Sequence, residues 1–293
     1  MYGILSPECV MDNSPEGHTS FLREIPMNTR IHSDYSALDH PDIVQVVFHP
    51  RKSVSVSHTG GNIHEILISV DDDVVIGSRL YCPDGSAPTL LFFHGNGETV
   101  ADYHEIGMMY NDAGINFWAV DYRGYGRSTG TSTCTSMMQD CQSIFEFVRD
   151  WRKEHLHLGP LIIMGRSLGS ASALEVVWQY KNWTSGLIIE SGVAHLLPVL
   201  QRLGVDTVRF GLTEREGFQN LEKIAHYPKP TLIIHAERDH IIPFTAGQAL
   251  YDACLAHDRT FLKIPNANHN NLFLYGRTEY MAAVKHFTNS MTS

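Results

Sequence analysis

The chain has 293 residues, 43% of them hydrophobic and 18% charged, which is enough apolar content for a sizeable core and too much for a disordered chain. With 22 Lys and Arg against 32 Asp and Glu the formal charge is −10, and the modest basic cluster of Arg149, Arg152 and Lys153 reads as the solvated face of a helix, so nucleic acid is not an expected partner. Five dispersed cysteines without a C-x-x-C, no basic-apolar leader and no apolar run near the ~18 residues of a membrane span together predict a soluble, cytoplasmic chain without a disulfide framework.

Residues 1–42 are rich in Ser, Pro, Asn, Asp and His and show no helical period. Residues 43–48, Ile-Val-Gln-Val-Val-Phe, are apolar, so residues 1–62 read as an irregular arm whose short apolar anchor packs on a main body, residues 63–293. Residues 63–70 and 74–81 flank Asp71, Asp72 and Asp73 and predict a hairpin. Short apolar runs follow at 89–93, 117–120, 161–164, 186–189, 231–235 and 260–264, as expected of strands buried on both faces of a sheet. Helical patterns lie between them, at roughly 98–113, 132–155, 170–182, 244–257 and 276–290. Such alternation predicts an α/β fold: a mostly parallel, doubly wound sheet of about eight strands with helices on both faces and ligands beyond the carboxyl ends of the strands. The stretch 191–227 breaks the rhythm, is apolar and partly helical, and is a candidate lid.

Gly165-Arg166-Ser167-Leu168-Gly169 follows the apolar run Leu-Ile-Ile-Met directly and opens a helical pattern. This is G-x-S-x-G in its strand–turn–helix context, where the glycines allow a tight turn that lifts the Ser167 hydroxyl into a cleft above a helix N-terminus. The run 89–93 ends similarly in His94-Gly95-Asn96-Gly97, a supporting turn whose glycines let backbone N–H groups approach a ligand. The N–H groups of Asn96 and Leu168 together could form an oxyanion hole.

Serine needs a histidine base, and that base an orienting carboxylate. His269 lies in the loop straight after the last strand; His240 is the alternative, whereas His257 and His286 read as surface residues of helices. For the acid, Asp239 stands on the turn after the 231–235 run, with Glu190 at the end of an earlier strand and Glu237 as competitors.

These motifs, with Asp121-Tyr-Arg-Gly-Tyr-Gly-Arg-Ser128 between them, resemble the α/β-hydrolases over residues 63–293, in particular the small-lid serine hydrolases that include the alpha/beta-hydrolase-domain proteins and the serine aminopeptidase-like group. The resemblance implies the α/β-hydrolase fold with a small helical lid. It also implies a serine hydrolase cleaving a small-molecule ester or thioester through an acyl-serine intermediate, with Ser167, His269 and Asp239 as the triad and no metal or organic cofactor. An aminopeptidase or amidase of the same fold, or a non-catalytic binding module, are the alternatives. In the family the Asp121 loop is structural. One departure is His235-Ala236 where the family has His-Gly, and another is the N-terminal arm. Of the 17 histidines, only His269 carries a chemical role in this reading.

Overall fold

In the computed structural model, which describes residues 34–53 and 61–292, the chain turns at Asp72 and Asp73 between β1 (Ile63–Asp71) and β2 (Val74–Tyr81). The two strands pair antiparallel, with Ile68 opposite Ile76, and β2 pairs antiparallel with β4 (Asn116–Val120). From there the sheet is parallel, through β3 (Thr89–Phe93), β5 (Leu161–Arg166), β6 (Gly186–Glu190), β7 (Thr231–Ala236) and β8 (Arg259–Ile264), in the order β1-β2-β4-β3-β5-β6-β7-β8. All eight strands fall where the apolar runs predict them.

Every residue of β3 to β7 is buried, because helices cover both faces. Leu91, Phe93, Ile163 and Ile189 point into the core beneath α3 (Cys134–Glu154), α4 (Gly169–Tyr180) and α7 (Phe244–Ala253). Their neighbours Leu90, Phe92, Ile162 and Ile188 point into the opposite core beneath α2 (His104–Asp112) and α8 (Leu272–Asn289). The alternation of side chains along each strand thus builds two cores from one run of apolar residues.

The arm is less irregular than its composition predicts. A helical turn over Ser36–Asp39 precedes α1 (Pro41–Val47), whose first turn is held by Pro41 at N1 and by His40 Nδ1, which accepts from the Asp42 N–H at 3.2 Å. Leu38 and Ile43 are fully buried, and the Tyr35 hydroxyl meets a buried ion pair between Lys223 and Glu175. The rest of the expected arm, residues 1–33 and 54–60, lies outside the described residues. Within 191–227, α5 (Leu196–Arg202) packs against α1, whereas α6 (Asn220–Ala225) packs against α4 and α7.

Several helices depart from their predicted form: α2 begins only at His104, after a tighter turn over Val100–Tyr103, and α7 ends at Ala253, short of residue 257. The last helix begins at Leu272, earlier than its pattern, and breaks at Gly276, where a Cβ would come within 2.5 Å of the Ile264 side chain. In α3, Arg152 is buried against the Gly159 carbonyl rather than solvated, and desolvation pulls its pKa down to about 10.

Candidate active site

Ser167 sits on the turn between β5 and α4 with φ of +53°, in the left-handed region that side chains rarely adopt. Its N–H donates to the Glu190 carbonyl at 2.9 Å, which fixes the turn to β6. The flanking glycines are sterically required. A Cβ at Gly165 would lie 2.3 Å from the Gly169 carbonyl oxygen, and one at Gly169 would lie 2.1 Å from the carbonyl oxygen of Phe93.

The loops after β7 and β8 bring two more residues to this turn. His269 Nε2 stands 2.9 Å from Ser167 Oγ, and His269 Nδ1 stands 2.7 Å from Asp239 Oδ2. All three side chains are buried. Asp239 Oδ1 accepts from the N–H groups of Ile241 at 3.0 Å and Ile242 at 2.8 Å, so the carboxylate is oriented before it meets the imidazole. Burial works to raise the pKa of Asp239, but its bond to His269 and the Ile242 N–H outweigh this and hold it below the usual carboxylate range. Buried His235, 3.7 Å from Asp239 Oδ2, is turned toward the Ile242 carbonyl and completes the wall behind Asp239. Ala236, the departure from the family pattern, is the last residue of β7, paired with Ile264, and makes no demand for glycine there.

The competitors are engaged elsewhere. Glu190 accepts from the Tyr280 hydroxyl at 2.7 Å, pairs with Arg166 Nε at 3.3 Å and lines a separate cavity of about 360 Å³. Glu237 is half-exposed and pairs with Lys263 at 2.9 Å, and His240, His257 and His286 are exposed.

Ser167, Leu168, His269, Gly95 and Asn96 line one cavity of about 190 Å³, whose remaining wall is largely apolar. The turn His94–Gly97 is held from beneath by Glu98, whose Oε2 accepts from the Gly95 N–H at 2.7 Å and from the Tyr103 hydroxyl at 2.5 Å. Buried His94 presents its carbonyl to the Tyr122 hydroxyl at 2.7 Å, and its Nε2 lies 3.3 Å from Asp121. Asp121 in turn accepts from the Val100 N–H at 2.9 Å and packs so closely under Gly126 that a Cβ there would come within 2.0 Å. Both residues are scaffold for the two loops.

Two residues that sequence reasoning passed over organise this region. Arg166 pairs with Glu98 Oε1 at 3.3 Å and with Glu190 Oε1 at 3.3 Å while donating to the His269 carbonyl at 2.8 Å. Burial would raise the pKa of Glu98, but Arg166 and the Tyr103 hydroxyl hold it down; burial raises that of Glu190 in spite of Arg166. Arg166 occupies a variable position of the motif and Glu98 simply follows the glycine turn, so no sequence signal marks either. Among the described residues no three His, Cys, Asp or Glu side chains are grouped to hold a metal ion.

The family described as serine aminopeptidase, S33, matches residues 86–203. Alpha/beta hydrolase domain-containing protein 17B of Xenopus laevis is 30% identical over 213 residues, covering 70% of this chain and 67% of the relative. The human protein of the same name is 28% identical over 212 residues, covering 71% and 68%. Among solved structures, the Pyrococcus furiosus esterase Pf2001 superimposes with a TM-score of 0.67 at 16% identity over 83% of this chain and 99% of its own. Est1E from Butyrivibrio proteoclasticus, solved with ferulic acid, superimposes at 0.62 with 20% identity over 77% and 98%.

Proposed function

We propose that this chain, which belongs to the α/β-hydrolase superfamily, is a serine hydrolase that cleaves an ester or thioester through an acyl-serine intermediate. One observation carries the reading: an unbroken line of hydrogen bonds, Asp239 to His269 at 2.7 Å and His269 to Ser167 at 2.9 Å, opens on an apolar cavity.

In this mechanism His269 Nε2 takes the Ser167 proton as Oγ attacks the acyl carbonyl carbon, and Asp239 holds the proton-bearing Nδ1 in place. The N–H groups of Asn96 and Leu168 receive the developing oxyanion; a single such donor is worth about 10²–10³ in turnover. The tetrahedral species collapses as His269 returns its proton to the leaving alcohol or thiol. Water then attacks the acyl-serine, giving its proton to His269, and the second collapse frees the carboxylic acid and restores Ser167. Val193, Leu196, Val199, Leu200 and Phe218 line the cavity and suit the apolar part of an acyl group.

The matching family's description favours amide cleavage at a free amine as a second reading. That chemistry needs a carboxylate open to an ammonium group, and Glu98 and Glu190 are both committed to internal partners. The ester reading is therefore preferred. No helix among the described residues is long and apolar enough to cross a membrane, and Cys82, Cys134, Cys141 and Cys254 are all free thiols, as suits the cytoplasm.

The test is labelling by a fluorophosphonate probe, comparing wild type with Ser167→Ala in protein whose folding is verified by circular dichroism. Labelling that depends on Ser167 is expected, and its absence rejects the hydrolase reading. A panel of p-nitrophenyl esters, acyl-CoA thioesters and aminoacyl anilides then sorts the substrate class.

A further inference from the structure

We propose that residues 47–51, in the segment that precedes the hydrolase body, are a built-in part of the acyl site: Val47 forms one wall of the acyl cavity, and His49 with Arg51 holds the Asn96–Gly97 turn in its oxyanion-binding shape. The proposal rests on the serine hydrolase reading above and deepens it.

The geometry of the turn points to this role. Glu98 fixes the Gly95 end of the turn from within the body. At the other end, most of the bonds come from the arm. The His49 N–H donates to Asn96 Oδ1 at 2.8 Å, and Asn96 Nδ2 donates back to His49 Nδ1 at 2.7 Å, so both ends of the amide are taken by one residue. The Tyr125 hydroxyl closes a triangle, accepting from the His49 N–H at 2.7 Å and donating to Asn96 Oδ1 at 2.7 Å. Arg51 Nε donates to the Gly97 carbonyl at 2.6 Å and its guanidinium pairs with Asp102, which itself accepts from the Thr99 N–H at 2.7 Å.

Gly97, at φ of +74°, gives the turn conformational freedom that these bonds remove. An N–H donor is useful only where the oxyanion forms, and a misplacement of about 1 Å can cost about 10²-fold in rate. The strap itself is fixed on both sides. Leu38 and Ile43 are fully buried before it, and after it Lys52 bridges to Gly126 and donates from Nζ to the Ser128 carbonyl at 2.7 Å. Val47, 5% exposed at the end of α1, shares its cavity with Ser167, Leu200 and Phe218. The arm therefore reaches both the apolar wall and the polar corner of one site.

Two kinds of variant test this on the full-length protein. His49→Ala removes the acceptor for Asn96 but leaves the His49 N–H in place, and His49→Asn puts an acceptor back near the position of Nδ1. For an acetyl ester, His49→Ala should lower kcat about tenfold or more with KM within about twofold, and should weaken a boronic acid transition-state analogue by the same factor. His49→Asn should recover most of both, with melting temperatures unchanged across the set. Arg51→Gln, at an exposed position, should lower kcat in the same sense. Val47→Phe should cut kcat/KM for an octanoyl ester about tenfold or more beyond any loss on the acetyl ester, since one methylene in an apolar pocket is already worth about 10-fold or more.

Wild-type protein that labels at Ser167, with His49→Ala and Arg51→Gln keeping wild-type kcat and boronate affinity, overturns the strap. Equal loss of acetyl and octanoyl turnover in Val47→Phe overturns the assignment of that wall. Wild-type protein that does not label overturns the hydrolase reading beneath both.

Discussion

Arg166 Nη2 donates to the carbonyl oxygen of His269 at 2.8 Å, which ties the residue before Ser167 to the loop after β8. The two residues are 103 positions apart in sequence, and the same guanidinium also meets Glu98 beneath the glycine turn and Glu190 at the end of β6. One planar cation thus spaces the Ser167 turn, the Gly95–Gly97 turn and the His269 loop. Arginine suits this because its fork reaches several acceptors at fixed angles, which an ammonium group cannot do.

Arg166→Lys should therefore keep the charge yet lose the spacing. We expect kcat on a p-nitrophenyl ester to fall about 10–100-fold, with a smaller loss of stability. Arg166→Met leaves Glu98 and Glu190 without their shared cation and should cost about 3–5 kcal/mol in urea unfolding. Wild-type kcat in folded Arg166→Lys would remove Arg166 from the positioning scheme.

The two acidic candidates separate cleanly by substitution. Asp239→Asn leaves an amide where Nδ1 needs an acceptor, so turnover should fall on the order of 10⁴-fold. Glu190→Gln keeps the shape, the bond from Tyr280 and the backbone carbonyl that Ser167 meets, and should stay within about tenfold of wild type because the Glu190 carboxylate reaches the site through Arg166. Steady-state kinetics on both variants decide the assignment, and the reverse ranking would make Glu190 the acid.

Opposite pKa shifts predict opposite pH dependence of stability. In Asp239 burial is outweighed by the bond to His269, and the folded pKa lies below the unfolded one, so its contribution is present above the unfolded carboxylate value and is lost as pH falls through the folded value. In Glu190 burial dominates and the folded pKa is raised, so its contribution is full below the unfolded value and is lost as pH rises through the folded one. Urea unfolding from acid to neutral pH should show the stability difference between wild type and Glu190→Gln moving against wild type as pH rises. The difference between wild type and Asp239→Asn should move in its favour, within the acid range. Parallel slopes would mean that the two carboxylates share one environment.

Much of the fold was legible because β3 to β7 are buried on both faces and so read as continuous apolar runs. Ser167 was legible because Gly165 and Gly169 stand where a Cβ would strike backbone atoms, and His269 because it follows the last strand at the carboxyl edge. The rest depends on partners distant in sequence. Arg166, Glu98 and His49 look ordinary until the fold brings them to the turn, and α1, only seven residues long, is too short for a helical period to emerge. Gly276, where the last helix breaks, packs so closely on Ile264 of β8 that a side chain would not fit, a constraint no local pattern records.

A last prediction concerns the ion pair under the arm. Lys223 Nζ lies 2.6 Å from Glu175 Oε2, both side chains are almost fully buried, and the Tyr35 hydroxyl joins them, accepting from Lys223 at 2.9 Å and donating to Glu175 at 3.1 Å. Glu175 lies in α4, the helix that begins just beyond Ser167, so this cluster fastens α6 and the arm to the element that follows the Ser167 turn. Lys223→Met strands a buried carboxylate and should cost about 3–5 kcal/mol, whereas Tyr35→Phe removes hydroxyl bonds only and should cost about 1–3 kcal/mol. Adding Glu175→Gln to Lys223→Met should recover part of the loss, because the stranded charge is then gone, with a coupling energy of about 0.5–3 kcal/mol. Urea unfolding of the four proteins of the cycle measures it, and strictly additive costs would show that the two charges do not depend on each other.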